Sequence, residues 1–161
     1  MAPRSSAGIL LYRRDPARGG VEVLLAHPGG PYFTAKDAGH WTIPKGEPDG
    51  DDDLLRVARR EFEEETGHAV PGGPAFELGS IVQKGGKLVH AWAIEGDLDP
   101  ATCRSNTFET EWPPRSGRRA TFPEIDRVEW FDPGEARRRI KPTQVPLIDR
   151  LEEALRKDGP D

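Results

Sequence analysis

The stretch from Asp51 to Thr66 constrains this chain more than any other. Leu54, Leu55, Ala58 and Phe62 recur at helical spacing, acidic residues from Asp49 to Asp53 stand where a helix dipole favours anions, and Gly67 offers a stop. One amphipathic helix is expected over roughly residues 51–66. At about 100° per residue, Leu54, Ala58 and Phe62 define its inward stripe; Glu61 and Glu65 project close beside that stripe, with Glu64 at the sector's edge.

A run such as Glu63-Glu64-Glu65 is ordinarily a solvated face. Here Glu61 and Glu65 are like charges one turn apart, which costs about 0.2–0.5 kcal/mol. The carboxylates also gather toward the end where the dipole disfavours anions. Arg59 and Arg60 point in other directions and cannot neutralise the whole cluster. Hard divalent cations would. Carboxylate oxygens match Mg²⁺ or Mn²⁺, which bridge to substrate phosphates, so phosphoryl or pyrophosphoryl chemistry is implied.

The chain has 161 residues, enough for one domain with a real core but short of two. Ala7–Tyr12 and Val21–Ala26 read as an opening hairpin, and His27–Gly50 as an ordered loop around Trp41-Thr42-Ile43-Pro44-Lys45-Gly46-Glu47. Phe76–Gln83 and Lys87–Glu95 read as a second hairpin across Lys84-Gly85-Gly86. Gly96–Pro123 has three prolines inside it, several arginines and little periodicity, so it reads as a long loop or insertion. Val128–Phe131 is a short strand, Gly134–Ile140 a helical turn, and residues 144–156 a closing helix. Strands with helices before and after them point to an α/β sandwich.

The formal charge of -5 removes any global positive field, so a nucleic-acid backbone is not an expected partner. Cys103 is the only cysteine, which excludes an internal disulfide framework and a cysteine-rich zinc site and suits a reducing cytoplasm. The apolar runs are too short for a membrane span and no charged-then-apolar leader opens the chain, so neither insertion nor secretion is expected.

Gly46, five residues, Asp52, seven residues, then Arg60-Glu61-Phe62-Glu63-Glu64-Glu65-Thr66-Gly67 resembles the Nudix box. The pattern covers Gly46 to His68, with Asp52 where the family usually has Glu and His68 where it usually has an aliphatic residue. The resemblance implies a single α/β/α sandwich with a mixed central sheet and a metal-dependent hydrolase of diphosphate linkages. It also implies that Glu61, Glu64 and Glu65 bind Mg²⁺ or Mn²⁺, that the Gly46 carbonyl joins them, and that Arg60 orients a carboxylate. Glu124, six residues ahead of Trp130, resembles a further loop ligand and is preferred over Asp126, Glu109 and Glu111; its alternative role is to cap a strand. Glu64, then Glu124, are the candidate bases for a water attacking phosphorus.

The segment around Trp41 and Lys45 is similar to that of Nudix hydrolases of dinucleoside polyphosphates and diphosphoinositol phosphates. A nucleoside triphosphate or a dinucleoside polyphosphate such as diadenosine tetraphosphate is therefore the expected substrate. Lys45 and Lys87 are candidate phosphate contacts and Trp41 a candidate base contact, although a tryptophan beside Ile43 and Pro44 is more often core. Trp112, Arg115, Arg118 and Arg119 form a basic and aromatic patch suited to a lid over a nucleotide or to a homodimer contact. A catalytically silent Nudix-fold binding module is the alternative, and the intact glutamates argue against it.

Overall fold

A computed structural model of the protein describes residues 4–15, 17, 19–50, 53–71 and 73–157. Its centre is β1 (Ser5–Asp15), buried from Ser6 to Tyr12 on both faces, as a strand between two helical layers must be. On one side β1 turns into β2 (Gly20–Pro28), with Tyr12 opposite Val23. On the other it runs parallel to β5 (Leu88–Glu95), with Ser5 opposite Leu88. The remaining pairings are antiparallel. β4 (Ala75–Val82) flanks β5, β8 (Ile125–Phe131) flanks β2, and the two-residue β3 (Lys45–Gly46) joins β1 at Ala7 and Gly8. The sheet is therefore mixed, in the order β4-β5-β1-β2-β8 with β3 beside β1.

Alternation along the strands divides the core in two. Ile9, Leu11, Leu24, Ala26 and Ile94 meet Val57, Ala58 and Phe62 of α1 (Leu54–Thr66). Leu10, Tyr12, Val23, Leu25 and Val89 face the other way, toward Ala136 of α2 (Pro133–Arg139) and Leu147, Ile148 and Leu151 of α3 (Val145–Lys157). This is the expected α/β/α sandwich. No helix among the described residues is long and apolar enough to cross a membrane.

The observed α1 begins at Leu54 because the Asp53 side chain accepts from the backbone N–H groups of Leu55 and Arg56, at 2.9 and 3.2 Å. Asp51 and Asp52, and with Asp52 the departure from the box pattern, lie outside the described residues. The helix ends at Gly67, whose φ of 77° suits a residue without Cβ and whose N–H donates to Glu63 O.

Residues 96–123 differ from the expected loop. They hold a 3₁₀ turn (Pro100–Thr102) and a separate hairpin of β6 (Thr107–Glu111) and β7 (Arg119–Pro123), with Phe108 opposite Phe122. Each strand carries a single bulky apolar residue, so period-two alternation has too little contrast to be read from the sequence. Thr107, Glu109, Glu111, Arg119, Thr121 and Pro123 are exposed. Phe108 docks where Gly30 leaves room: a Cβ there would lie 2.8 Å from Phe108 Cζ.

Candidate active site

Phe62 and Ala58 fasten α1 to the sheet, and the same turn of helix presents Glu61 and Glu65 toward β3. The contact is close. A Cβ at Gly46 would lie 1.9 Å from Glu61 Oε1 and 2.1 Å from its Cδ, so only glycine lets that carboxylate rest on the β3 backbone. One residue earlier, the Lys45 N–H points at Glu65 Oε1, 3.4 Å away.

Partial burial, the Glu64 charge and a hydrogen bond to Glu64 push the Glu61 carboxyl above its usual range, against the pull of Arg60. Burial pushes Glu65 up to about 8, opposed by Lys45 and reinforced by the charges of Glu61 and Glu124. Glu61, Glu64, Glu65 and Glu124 thus share one field, although they come from a helix and from a loop about sixty residues away. Glu64 and Glu124 are exposed.

Glu124 is held by its backbone. Its N–H donates to Asn106 O at 2.9 Å, and its carbonyl accepts from the Gly29 N–H at 2.8 Å. Asn106 N–H donates to Glu64 O and Arg104 N–H to Thr66 O, both at 2.8 Å. The base of the β6–β7 hairpin is therefore fastened to the end of α1, where carbonyls lack helical partners. Asp126, the rejected alternative, is engaged elsewhere, with Oδ1 2.8 Å from Nδ1 of the buried His27. Glu109 lies 3.5 Å from Arg119, and Glu111 accepts from the N–H groups of Arg115 and Gly117.

Arg60 Nη2 stands 3.6 Å from Glu61 Oε2 and 3.5 Å from the Glu47 carbonyl, within reach of the carboxylate it was expected to orient. His68, unusual at its box position, pairs through Nε2 with Thr102 Oγ1 at 2.8 Å and ties the helix end to the 3₁₀ turn.

Trp41 requires a correction. It is fully buried, its Nε1 donates to Asp37 at 2.8 Å, and its ring meets His27 and Phe131 edge-on. No face is left for a substrate base, so Trp41 belongs to the core. An exposed aromatic lies elsewhere: Tyr32, 58% exposed, meets the half-buried Trp112 edge-on at 5.4 Å beside the hairpin turn.

Lys45 and Lys87 do come together. Lys87 Nζ is 3.7 Å from Glu47 Oε2, whose carboxylate is also held by Arg4 at 2.7 Å. Burial, then the charges of Lys141 and Lys87, push Lys45 down to about 8. Lys141 was missed by the sequence reading. It stands alone between Ile140 and Pro142, 96 positions from Lys45, and only the fold brings the two together.

The donors assembled at α1 fit a hard divalent cation, being all oxygen and partly withdrawn from water. Among the described residues no three acidic side chains already stand around one point as a ready metal site.

A Nudix domain model matches residues 2–151. No curated protein matches the chain in sequence. Among solved structures, a binary complex of the Caenorhabditis elegans Ap4A hydrolase is 21% identical with a TM-score of 0.67, covering 96% of this chain and 98% of that one. The Nudix domain of Shewanella oneidensis NrtR, complexed with ADP ribose, is 15% identical with a TM-score of 0.66, covering 96% and 90%. A MutT/Nudix family protein from Listeria innocua is 16% identical with a TM-score of 0.63, covering 98% of each chain. With a domain match over nearly the whole length, this chain belongs to the Nudix family, and its class of activity is that of a pyrophosphohydrolase.

Proposed function

We propose that the protein hydrolyses a diphosphate linkage in a nucleoside triphosphate or in a dinucleoside polyphosphate such as diadenosine tetraphosphate. Mg²⁺ or Mn²⁺ would be held by Glu61, Glu64, Glu65, Glu124 and the Gly46 carbonyl. The observation that carries this reading is the pair of half-buried carboxyls on α1, Glu61 lying against Gly46 and Glu65 beside Lys45. When bound, the cations would supply positive charge to the phosphate oxygens and to the attacking water.

The chain's own residues divide the rest of the work. Glu64 accepts the water proton as the new oxygen–phosphorus bond forms and the bridging phosphorus–oxygen bond breaks, the electron pair leaving with the departing phosphate. Glu124, on its pinned loop, is the second candidate for that proton. Arg60 positions Glu61, and Lys45 and Lys87 meet the phosphate chain as cations. Likeness to an Ap4A hydrolase favours dinucleoside polyphosphates, and the ADP ribose complex of the NrtR domain makes ADP ribose the first competitor to test.

Phosphate release from a panel of these compounds with Mg²⁺ or Mn²⁺, comparing the parent with Glu64→Gln, tests the reading. The parent is expected to turn over and the variant to lose about 10²–10⁴-fold. Binding without metal-dependent turnover would point instead to a catalytically silent domain.

A further inference from the structure

Across the β3 backbone from the carboxylates the charge changes sign. Residues 139–144 are zipped along residues 41–43: Trp41 N–H donates to Arg139 O, Lys141 N–H to Trp41 O, and Ile43 N–H to Gln144 Oε1 at 3.0, 2.8 and 3.0 Å. This sets Lys141 beside the segment that leads into Lys45. The tight turn at residues 83–87, closed by Gln83 N–H to Lys87 O at 2.7 Å, brings Lys84 and Lys87 to the same region. A cavity of about 420 Å³ opens there, walled mostly by apolar atoms of Gln83, Lys84, Lys141, Pro142 and Thr143, whose polar ends are few.

The hydrogen-bonding sense of this lining can be worked out. Gln144 is fully buried, and a backbone N–H fixes its Oε1 as the acceptor, so its Nε2 is the donor that meets Gln83 at 2.9 Å. The Gln83 atom in that contact must be Oε1. Its NH₂ group is left over, and it can only donate. Lys84 and Lys141 likewise offer donors alone, Thr143 can donate, and among the described residues no acidic side chain lines the cavity. Burial and the charge of Lys87 disfavour the charged form of Lys141. A polyanion would relieve all of these at once.

We propose that this cavity, flanked by the segment that leads into Lys45 and by the turn that ends at Lys87, holds the uncleaved end of a linear phosphate chain, so that the protein selects substrates with three or more linked phosphates over simple diphosphates. The inference rests on the proposed cleavage at α1 and narrows its substrate class. Lys141 is the residue that distinguishes chain lengths: a diphosphate at the carboxylates reaches Lys45, and a longer chain extends to Lys141.

Calorimetric titration of the full chain with inorganic tripolyphosphate and with pyrophosphate, in the absence of divalent metal, tests the cavity without requiring turnover. Lys141→Gln is expected to weaken tripolyphosphate about tenfold, equivalent to about 1.4 kcal/mol. Lys141→Arg should retain most of the affinity, and Lys157→Gln, a charge control on the C-terminal helix, should change neither titration. In turnover, Lys141→Gln should raise KM for diadenosine tetraphosphate, leave kcat unchanged, and leave both constants for ADP ribose unchanged. Equal tripolyphosphate affinity in parent and Lys141→Gln, with an unchanged Tm, overturns the proposal even if the parent is an active hydrolase. If the parent turns over nothing yet tripolyphosphate binding depends on Lys141, the cavity stands and the proposed cleavage falls.

Discussion

α1 and α3 are both thirteen residues long and lay an apolar stripe on the same sheet from opposite sides. Their charges are arranged differently. On α3, Asp149 and Glu152 both meet Arg137, Glu153 faces Arg156 and Lys157, and the last turn is basic, as the helix dipole favours. On α1 the last turn has no basic residue, and Glu61, Glu64 and Glu65 crowd one another, opposed among the described residues by Arg60, 3.6 Å from Glu61, and by Lys45 beside Glu65. A helix needed only for packing resembles α3. The raised carboxyls of Glu61 and Glu65 mark the charge on α1 as unfavourable for folding, and on the proposed reading bound cations would offset it, which is how a binding site departs from the rules of the surrounding scaffold.

Matched truncations of the two stripes should separate their roles. Phe62→Ala removes a buried ring from under α1, at about 3–5 kcal/mol, and Leu151→Ala removes a buried side chain from under α3, at about 2–5 kcal/mol. Chemical denaturation should report comparable losses. At a temperature where both variants remain folded, only Phe62→Ala should also lose turnover, because Phe62 sets the height of its neighbour Glu61. Equal effects on activity would mean that α1 holds no special position.

Gly46→Ala tests the same helix from the other side. The added Cβ meets only the Glu61 side chain among the nearest atoms, and that side chain can swing away. Little change in Tm is expected, together with weaker Mn²⁺ binding and about a hundredfold loss of turnover, the lower end of what one catalytic group contributes. Unfolding instead of inactivation would show that the close approach serves packing.

How much of this was legible beforehand follows the same division. The α1 stripe, its glutamates and Gly67 could be read because a helix repeats its contacts every three or four residues. Glu124 could be placed only by resemblance to a family pattern. The β6–β7 hairpin could not be read, since Phe108 and Phe122 have meaning only when paired across the turn. Trp41 and Lys141 were misjudged or missed for one reason: whether a tryptophan is covered, or a lysine joins two others, is decided by segments about a hundred residues apart.

Removing a charge should have opposite consequences on the two helices. Glu65→Gln in chelator replaces a half-buried carboxyl beside Glu61 and Glu124 with a neutral group of the same shape. A relief on the order of 1 kcal/mol would raise Tm by about 2–4 °C in a domain of this size, while Mn²⁺ affinity falls. Glu152→Gln breaks a partly exposed pair with Arg137 and should lower stability by about 0–1 kcal/mol without touching metal binding. A lower Tm for metal-free Glu65→Gln would contradict the claim that α1 carries unfavourable charge.

The smallest expected effect lies on the α3 side, in α2, where Glu135 bonds Arg138 and Arg139. These hydrogen bonds hold its carboxyl down to about 2, below its ordinary 4.5. A depressed carboxylate binds fewer protons folded than unfolded, so its contribution is complete above about 4.5 and disappears as pH falls toward 2. Both partners are solvent-accessible, so screening keeps the effect slight. Thermal melts of the parent and Glu135→Gln should therefore differ a little at pH 7 and converge between pH 4.5 and about 2. A gap that persists at the acid end would assign the difference to packing of the α2 turn, and the matched charges of this face would then be incidental to its stability.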